Sequence, residues 1–237
     1  MKRVHLIGLG LSLIFFIAFV VFTNLVRKDV FLNQETLSGL DFDLIVKIQA
    51  LIPVRLDPLL KLITASASAP TLGIALLLIL LVTSRFWGAM LAGFTFALAH
   101  ALELFLKNML RQSGPPFQFQ RIFAESGFDK DYQLEGYSYP SGHSFRVTFL
   151  LLVVVWICYQ RYGGRGWQSW LAAIVFGAYA AIVMIAKIAH GAHWSSDIIG
   201  GALLGASAAA VAVIFLQSRH KKALSRSEKR NTQHKEE

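Results

Sequence analysis

Apolar residues in this chain fall in long blocks rather than in short alternating patches. Six blocks lie at about 4–26, 62–82, 86–106, 144–160, 170–189 and 197–216. Each comes near the roughly 20 residues that a helix needs to cross a bilayer core about 30 Å thick. The first follows Met1-Lys2-Arg3, but its apolar run is too long for a signal peptide. No small-x-small cleavage pattern follows it before Arg27-Lys28, so it reads as a retained anchor. Residues 39–61 have a different pattern. Leu40, Leu44, Ile48, Leu51 and Ile52 recur at helical spacing, while Asp41, Asp43 and Lys47 take the other face. This predicts a helix lying in the outer membrane interface, with a short re-entrant stretch as the alternative. Pro53 and Pro58 are expected to end it before the second span. The segment 108–139 is polar and rich in Gly, Pro and aromatics, among them Phe117, Phe119, Phe123, Phe128, Tyr132 and Tyr137. It is too long for a plain connection and reads as a lid-like loop at headgroup level. The pattern as a whole predicts an all-α polytopic membrane protein. It is a six-transmembrane-helix bundle over residues 1–217 with an outer interfacial helix, followed by a disordered tail over 218–237.

Composition sharpens this. Of the 237 residues, 55% are hydrophobic and only 16% charged, against a usual charged share of about 25%. That excludes a disordered chain and argues against an ordinary soluble domain. The net charge of +9 would suggest nucleic acid on a soluble protein, but no nucleic-acid module is visible. The charge instead reports topology. The tail holds seven Lys/Arg and three Glu, and short loops on the same side carry Arg85, Arg161 and Arg165. The positive-inside rule then puts both termini in the cytoplasm, with a bacterial inner membrane as the expected location. The one cysteine, Cys158, excludes an intrachain disulfide and a multi-cysteine metal site. Gly201-x-x-x-Gly205, with Gly200, Ala202 and Ala206, gives the sixth span a small-residue face. Close packing inside the bundle is the favoured use of that face and dimerisation the lesser one, so the oligomeric state stays open.

Three polar groups fall at helix ends on the predicted outer side. Ionisable residues in such places are costly and are functional candidates. The first group is Glu103 and Lys107, followed by Arg111, Gly114, Pro115 and Pro116. The second is Tyr139-Pro140-Ser141-Gly142-His143, and the third is Lys187, His190, His193 and Asp197. Pro-Ser-Gly leading into a helix offers unpaired backbone N–H groups to an anion, with Gly142 allowing close approach and the Ser141 hydroxyl as a further donor. His143 beside it can pass a proton near neutral pH. Asp197 is four residues after His193 and can fix its tautomer, leaving the other nitrogen as nucleophile or base. Lys107, Lys187, Arg111, Arg121 and Arg146 supply cations suited to an oxygen-rich dianion. Glu103 reads as the i,i+4 partner of Lys107, and His100 as a core residue. A metal held by His190, His193 and Asp197 is the weaker alternative, since phosphate chemistry needs no metal where cations are at hand.

Together these residues resemble the type-2 phosphatidic acid phosphatase superfamily. The family pattern runs Lys, six residues, Arg-Pro; then Pro-Ser-Gly-His; then Ser-Arg, five residues, His, three residues, Asp. Here Lys107 is followed after six residues by Gly114-Pro115, Pro140-Ser141-Gly142-His143 matches throughout, and Ala186-Lys187 leads after five residues to His193 and after three more to Asp197. Gly114 and Lys187 replace two family arginines, and Arg111 or Arg121 is the expected substitute at the first gap. The resemblance implies a metal-independent membrane lipid phosphatase without cofactor. In it His193, oriented by Asp197, attacks phosphorus to form a phosphohistidine. His143 protonates the leaving group and then helps activate water. Lys107, Lys187, Arg111, Ser141 and the Gly142 amide hold the phosphate oxygens. The implied partners are the bilayer and a lipid phosphate: phosphatidic acid, phosphatidylglycerol phosphate, an isoprenyl diphosphate or a phosphorylated glycolipid. A lipid phosphotransferase using the same site, and a non-catalytic lipid-phosphate binder or transporter, are the alternatives.

Overall fold

The computed structural model describes residues 2–32, 37–83, 86–121, 137–164 and 166–216. Among them are eight α-helices and no strand: α1 (Lys2–Leu32), α2 (Ser38–Leu51), α3 (Asp57–Ser66), α4 (Ala69–Thr83), α5 (Phe86–Leu110), α6 (Gly142–Tyr162), α7 (Trp167–Ala189) and α8 (Ser195–Phe215). Arg85, Arg165, the tail over 218–237 and the loop aromatics Phe123, Phe128 and Tyr132 lie outside the described residues, so the lid-like loop is described only at its two ends.

Helices α1, α5, α6, α7 and α8 are each long and apolar enough to cross a bilayer. The region expected to be one span at 62–82 is instead two helices, α3, with the short turn that precedes it, and α4, bent by 51° at the junction, which make a broken span or a re-entrant loop. Pro70 explains the break, because it lacks the N–H that would bond the Ser66 carbonyl and carry one helix into the next. Ala67 N and Ser68 N instead close the end of α3 on Thr64 O and Ala65 O. Pro58, expected to end the interfacial helix, sits in the first turn of α3, where its fixed φ favours a helix start. The interfacial helix itself is the shorter α2, ending just ahead of Pro53.

Helix α8 is the centre of the bundle, with α6, α1, α5 and α2 packed on it. Its small residues make this possible. A β-carbon on Gly201 would strike the Ser141 carbonyl, and one on Gly205 would strike the Phe145 carbonyl, both on or next to α6. Apolar burial does not drive helices together in lipid, so backbone approach and interhelical polar contacts carry the association. Between α1 and α8, Ser207 Oγ donates to Ser12 O at 3.2 Å. The outward faces are apolar, as in Leu6, Leu13 and Ile17 of α1 and Trp170 and Ile174 of α7, all exposed. The chain is a multi-pass membrane protein.

Candidate active site

Helix α6 starts where Pro140-Ser141 predicts. Ser141 is its N-cap, and its Oγ accepts from Ser144 N at 3.4 Å. The amides of Gly142 and His143 are the first donors of the new helix. Ser141 N donates to Asp197 O at 3.0 Å, and Ser144 Oγ donates to Ile198 O at 2.7 Å. These two bonds join the Pro-Ser-Gly-His turn to the first turn of α8. Tyr139 packs its ring on Gly200, where a β-carbon would collide with it, and its hydroxyl pairs with Thr23 Oγ1 at 2.8 Å. Burial pushes the Tyr139 phenol well above its ordinary value, so it stays protonated.

The link between α7 and α8 is short and tightly folded. Ala192 N and His193 N both reach back to Lys187 O, at 3.0 and 3.3 Å. Gly191 makes the turn with φ of 71°, which side chains disfavour, and a β-carbon there would also strike the Phe119 carbonyl. The fold thereby brings His193 over the end of α7 and beside Asp197. Asp197 Oδ2 lies 3.3 Å from His193 Nδ1 and accepts from Trp194 N at 2.8 Å. A carboxylate only accepts, so Nδ1 carries the proton and the lone pair of His193 is at Nε2. Both side chains are buried, as is Lys187.

The third component rises from α5. Glu103 is 1% exposed, accepts from His100 Nδ1 at 2.7 Å and forms an ion pair with Lys107 Nζ at 3.5 Å. His100 is therefore a partner of this cluster as well as a residue stacked on Phe145. Arg146, one turn into α6, also acts electrostatically on Glu103. Gly142 sits directly over the pair: an added β-carbon would lie 2.6 Å from Glu103 Oε1 and 2.8 Å from Arg146 Nη1. The glycine expected to admit an anion thus admits this buried ion cluster. Arg146 Nη2 faces His143 Nδ1 at 3.3 Å. Four charged or ionisable side chains lie within electrostatic reach of His143: Lys187, Arg146, His193 and Lys107.

The structure therefore brings His143, His193, Asp197, Lys107, Lys187, Ser141 and Gly142 to one place, and adds Arg146. By sequence Arg146 stands out only as a nearby cation, although an arginine inside an apolar helix, one turn from His143, is itself a signal. Arg111 is not in the buried set. It is exposed, and its Nε turns back to Asn108 O at 3.4 Å. Arg121 is committed elsewhere. Its guanidinium donates to the carbonyls of Ile52 and Gln49 at the end of α2 and lies 3.7 Å from Asp57. Neither arginine fills the place left at Gly114, where a β-carbon would meet nothing nearer than 3.7 Å. His190 is wholly buried at the end of α7. Among the described residues, no group of three or more His, Cys, Asp or Glu is arranged to hold a metal ion.

A family model described as the PAP2 superfamily matches residues 88–221. Phosphatidylglycerophosphatase B from Bacillus subtilis (strain 168) is 25% identical over 119 residues, covering 50% of this chain and 53% of that protein. The chain thus spans about half the length of this curated relative. The crystal structure of a transmembrane PAP2 type phosphatidylglycerolphosphate phosphatase from Bacillus subtilis shares the fold, with a TM-score of 0.65 at 17% identity. That match covers 84% of this chain and 92% of the other.

Proposed function

This chain belongs to the PAP2 superfamily, and on that premise we propose that it is a membrane phosphatase that hydrolyses the phosphomonoester or diphosphate of a membrane lipid. The observation that carries the proposal is the buried His193–Asp197 pair, 3.3 Å apart, together with His143, which has His193, Lys107, Lys187 and Arg146 within electrostatic reach.

In the first step His193 Nε2 attacks phosphorus. The P–N bond forms as the P–O bond to the lipid breaks, and His143, entering this step as the imidazolium, gives its Nε2 proton to the departing lipid oxygen and becomes neutral. In the second step His143 takes a proton from water, water oxygen attacks the phosphohistidine, and inorganic phosphate leaves as His193 recovers its lone pair. Asp197 keeps the proton on Nδ1 and stabilises the positive charge that gathers on the ring during attack. Lys107, Lys187, the Ser141 hydroxyl and the Gly142 amide face the oxygens on which charge accumulates. Such preorganised donors in a water-poor site are the main source of rate in phosphoryl transfer. The route needs no metal, because the cations are side chains.

We place this site on the outer face of a bacterial inner membrane, with both termini in the cytoplasm, so that the lipid reaches it without leaving the bilayer. The curated relative is a phosphatidylglycerophosphatase, so phosphatidylglycerol phosphate is the first substrate to try. The test is phosphate release from a panel of lipid phosphates in mixed micelles, with and without chelator. Release from at least one lipid, unchanged by chelator and absent in His193→Ala, is the expected result. Release no greater than that of the variant for every lipid would overturn it.

A further inference from the structure

Helix α2 lies outside the sequence motifs, yet one of its faces touches both ends of the segment that carries Lys187, His193 and Asp197. Asp41 is at one end of that face. It is buried, and its carboxylate accepts from the hydroxyls of Ser195 and Ser196 and from Ser196 N at 2.8 Å. These are the first two residues of α8. Trp194, which precedes them, offers no side-chain acceptor, so the orphan donors at this helix start are met by carboxylates instead. Asp197 serves Trp194 N from within α8, and Asp41 serves Ser196 N from another helix. One turn on, Ile45 is fully buried against Ile188 and Ile198. Another turn on, Gln49 Nε2 donates to Ala189 O at 2.9 Å and Phe119 O at 2.6 Å. Arg121 closes the far end through its bonds to Gln49 O and Ile52 O. The remaining surface of α2 exposes Leu40, Phe42, Leu44 and Leu51, which suits a helix resting in the interface.

We propose that α2 is the positioning element of the site, and that Asp41 and Gln49 are positioning residues that hold His193 and Asp197 in register. The inference rests on the reading of His193 as the nucleophile. Burial raises the Asp41 carboxyl above its ordinary value, while the bonds from Ser195 and Ser196 draw it down. A carboxylate held in so dry a place, within electrostatic reach of Asp197, is costly unless its donors are fixed. The same fixing sets the start of α8 and so the direction of Asp197.

The test uses the full chain in lipid micelles, comparing Asp41→Ala, Asp41→Asn and Gln49→Leu with the exposed control Asp43→Asn. One readout needs no turnover: the rate at which diethyl pyrocarbonate modifies His193, followed by mass spectrometry. Asp41→Ala and Gln49→Leu are expected to raise that rate by about tenfold or more, and Asp43→Asn to leave it unchanged. Asp41→Asn, which still accepts from Ser196 N, is expected to stay near the wild type. The second readout is the split of kcat from KM on the lipid that the wild type turns over. Since small misplacements of reacting groups cost up to ~100-fold, Asp41→Ala should lower kcat by roughly 30-fold with KM within about twofold. A merely structural role would lower thermal stability but leave folded Asp41→Ala with wild-type His193 reactivity and kcat, and that result overturns the proposal. If Asp41→Ala does not fold, Ser195→Ala, which removes one donor only, is read in the same way. A wild type that releases no phosphate would refute the phosphatase reading alone, because His193 reactivity still decides this one.

Discussion

Arg146 Nη2 lies 3.3 Å from His143 Nδ1, and this contact fixes where the His143 proton can be. A guanidinium has donors and no acceptor, so Nδ1 of the neutral ring must offer its lone pair and the proton sits on Nε2. Asp197 imposes the opposite on His193, with the proton on Nδ1 and the lone pair on Nε2. In the resting site the two imidazoles therefore hold complementary tautomers, with the lone pair of His193 and the proton of neutral His143 both at Nε2, the atom through which the His143 imidazolium gives its proton. Replacing Arg146 by Met should remove this bias and a cation together. We expect kcat to fall by about 10- to 100-fold, with Arg146→Lys recovering part of the loss, as checked by phosphate release at saturating lipid.

Asp197→Asn keeps the shape of the pair but lets the amide present its N–H to His193. The wrong tautomer then predominates, and activity should fall at least ~100-fold while the protein stays folded. Kinetics together with a thermal unfolding curve check this.

Glu103 is a structural keystone under this mechanism. Its carboxylate is 1% exposed and serves His100 and Lys107. Removing one side of a buried ion cluster leaves uncompensated charge, at about 3–5 kcal/mol. Glu103→Ala should therefore show a clearly lower unfolding temperature in detergent, and Glu103→Gln a smaller drop.

Much of this was legible in the sequence because the signals are local. Pro140-Ser141-Gly142 announces a helix start, and the four-residue spacing of His193 and Asp197 needs only one helical turn to bring them together. The long apolar blocks yield the spans. What escaped depends on tertiary contacts. By periodicity Asp41 belongs to the polar face of α2 with Asp43 and Lys47, yet it is buried on α8, while Leu40, Leu44 and Leu51 of the apolar face are exposed. In a membrane interface an exposed leucine meets lipid at no cost and a buried aspartate is tolerated once fixed donors meet it, so periodicity alone does not say which face packs on protein. Hydropathy ran straight across Pro70 and hid the break between α3 and α4. Arg111 is a candidate only through its closeness in the chain to Lys107; it lies just past the end of α5 with a φ of 54°, and its side chain is exposed.

Gly114 is a vacancy that can be filled. A β-carbon there meets Ala192 O and Ser138 Cβ at 3.7 Å, which is ordinary contact. Gly114→Arg should fold as the wild type does and add a charge-assisted bond to substrate phosphate. Such bonds contribute about 1.5–3 kcal/mol, so KM should fall by roughly 10- to 100-fold, measured by phosphate release over a range of lipid concentration.

The central claim is that His193 carries the phosphoryl group between lipid and water. The most direct measurement is to mix the protein with a labelled lipid phosphate, quench in alkali, where a phosphohistidine survives, and map the label by mass spectrometry. The account predicts label on His193, lost on acid treatment and absent in His193→Ala. Turnover of that lipid with no label on His193, or with the label on another residue, would contradict it.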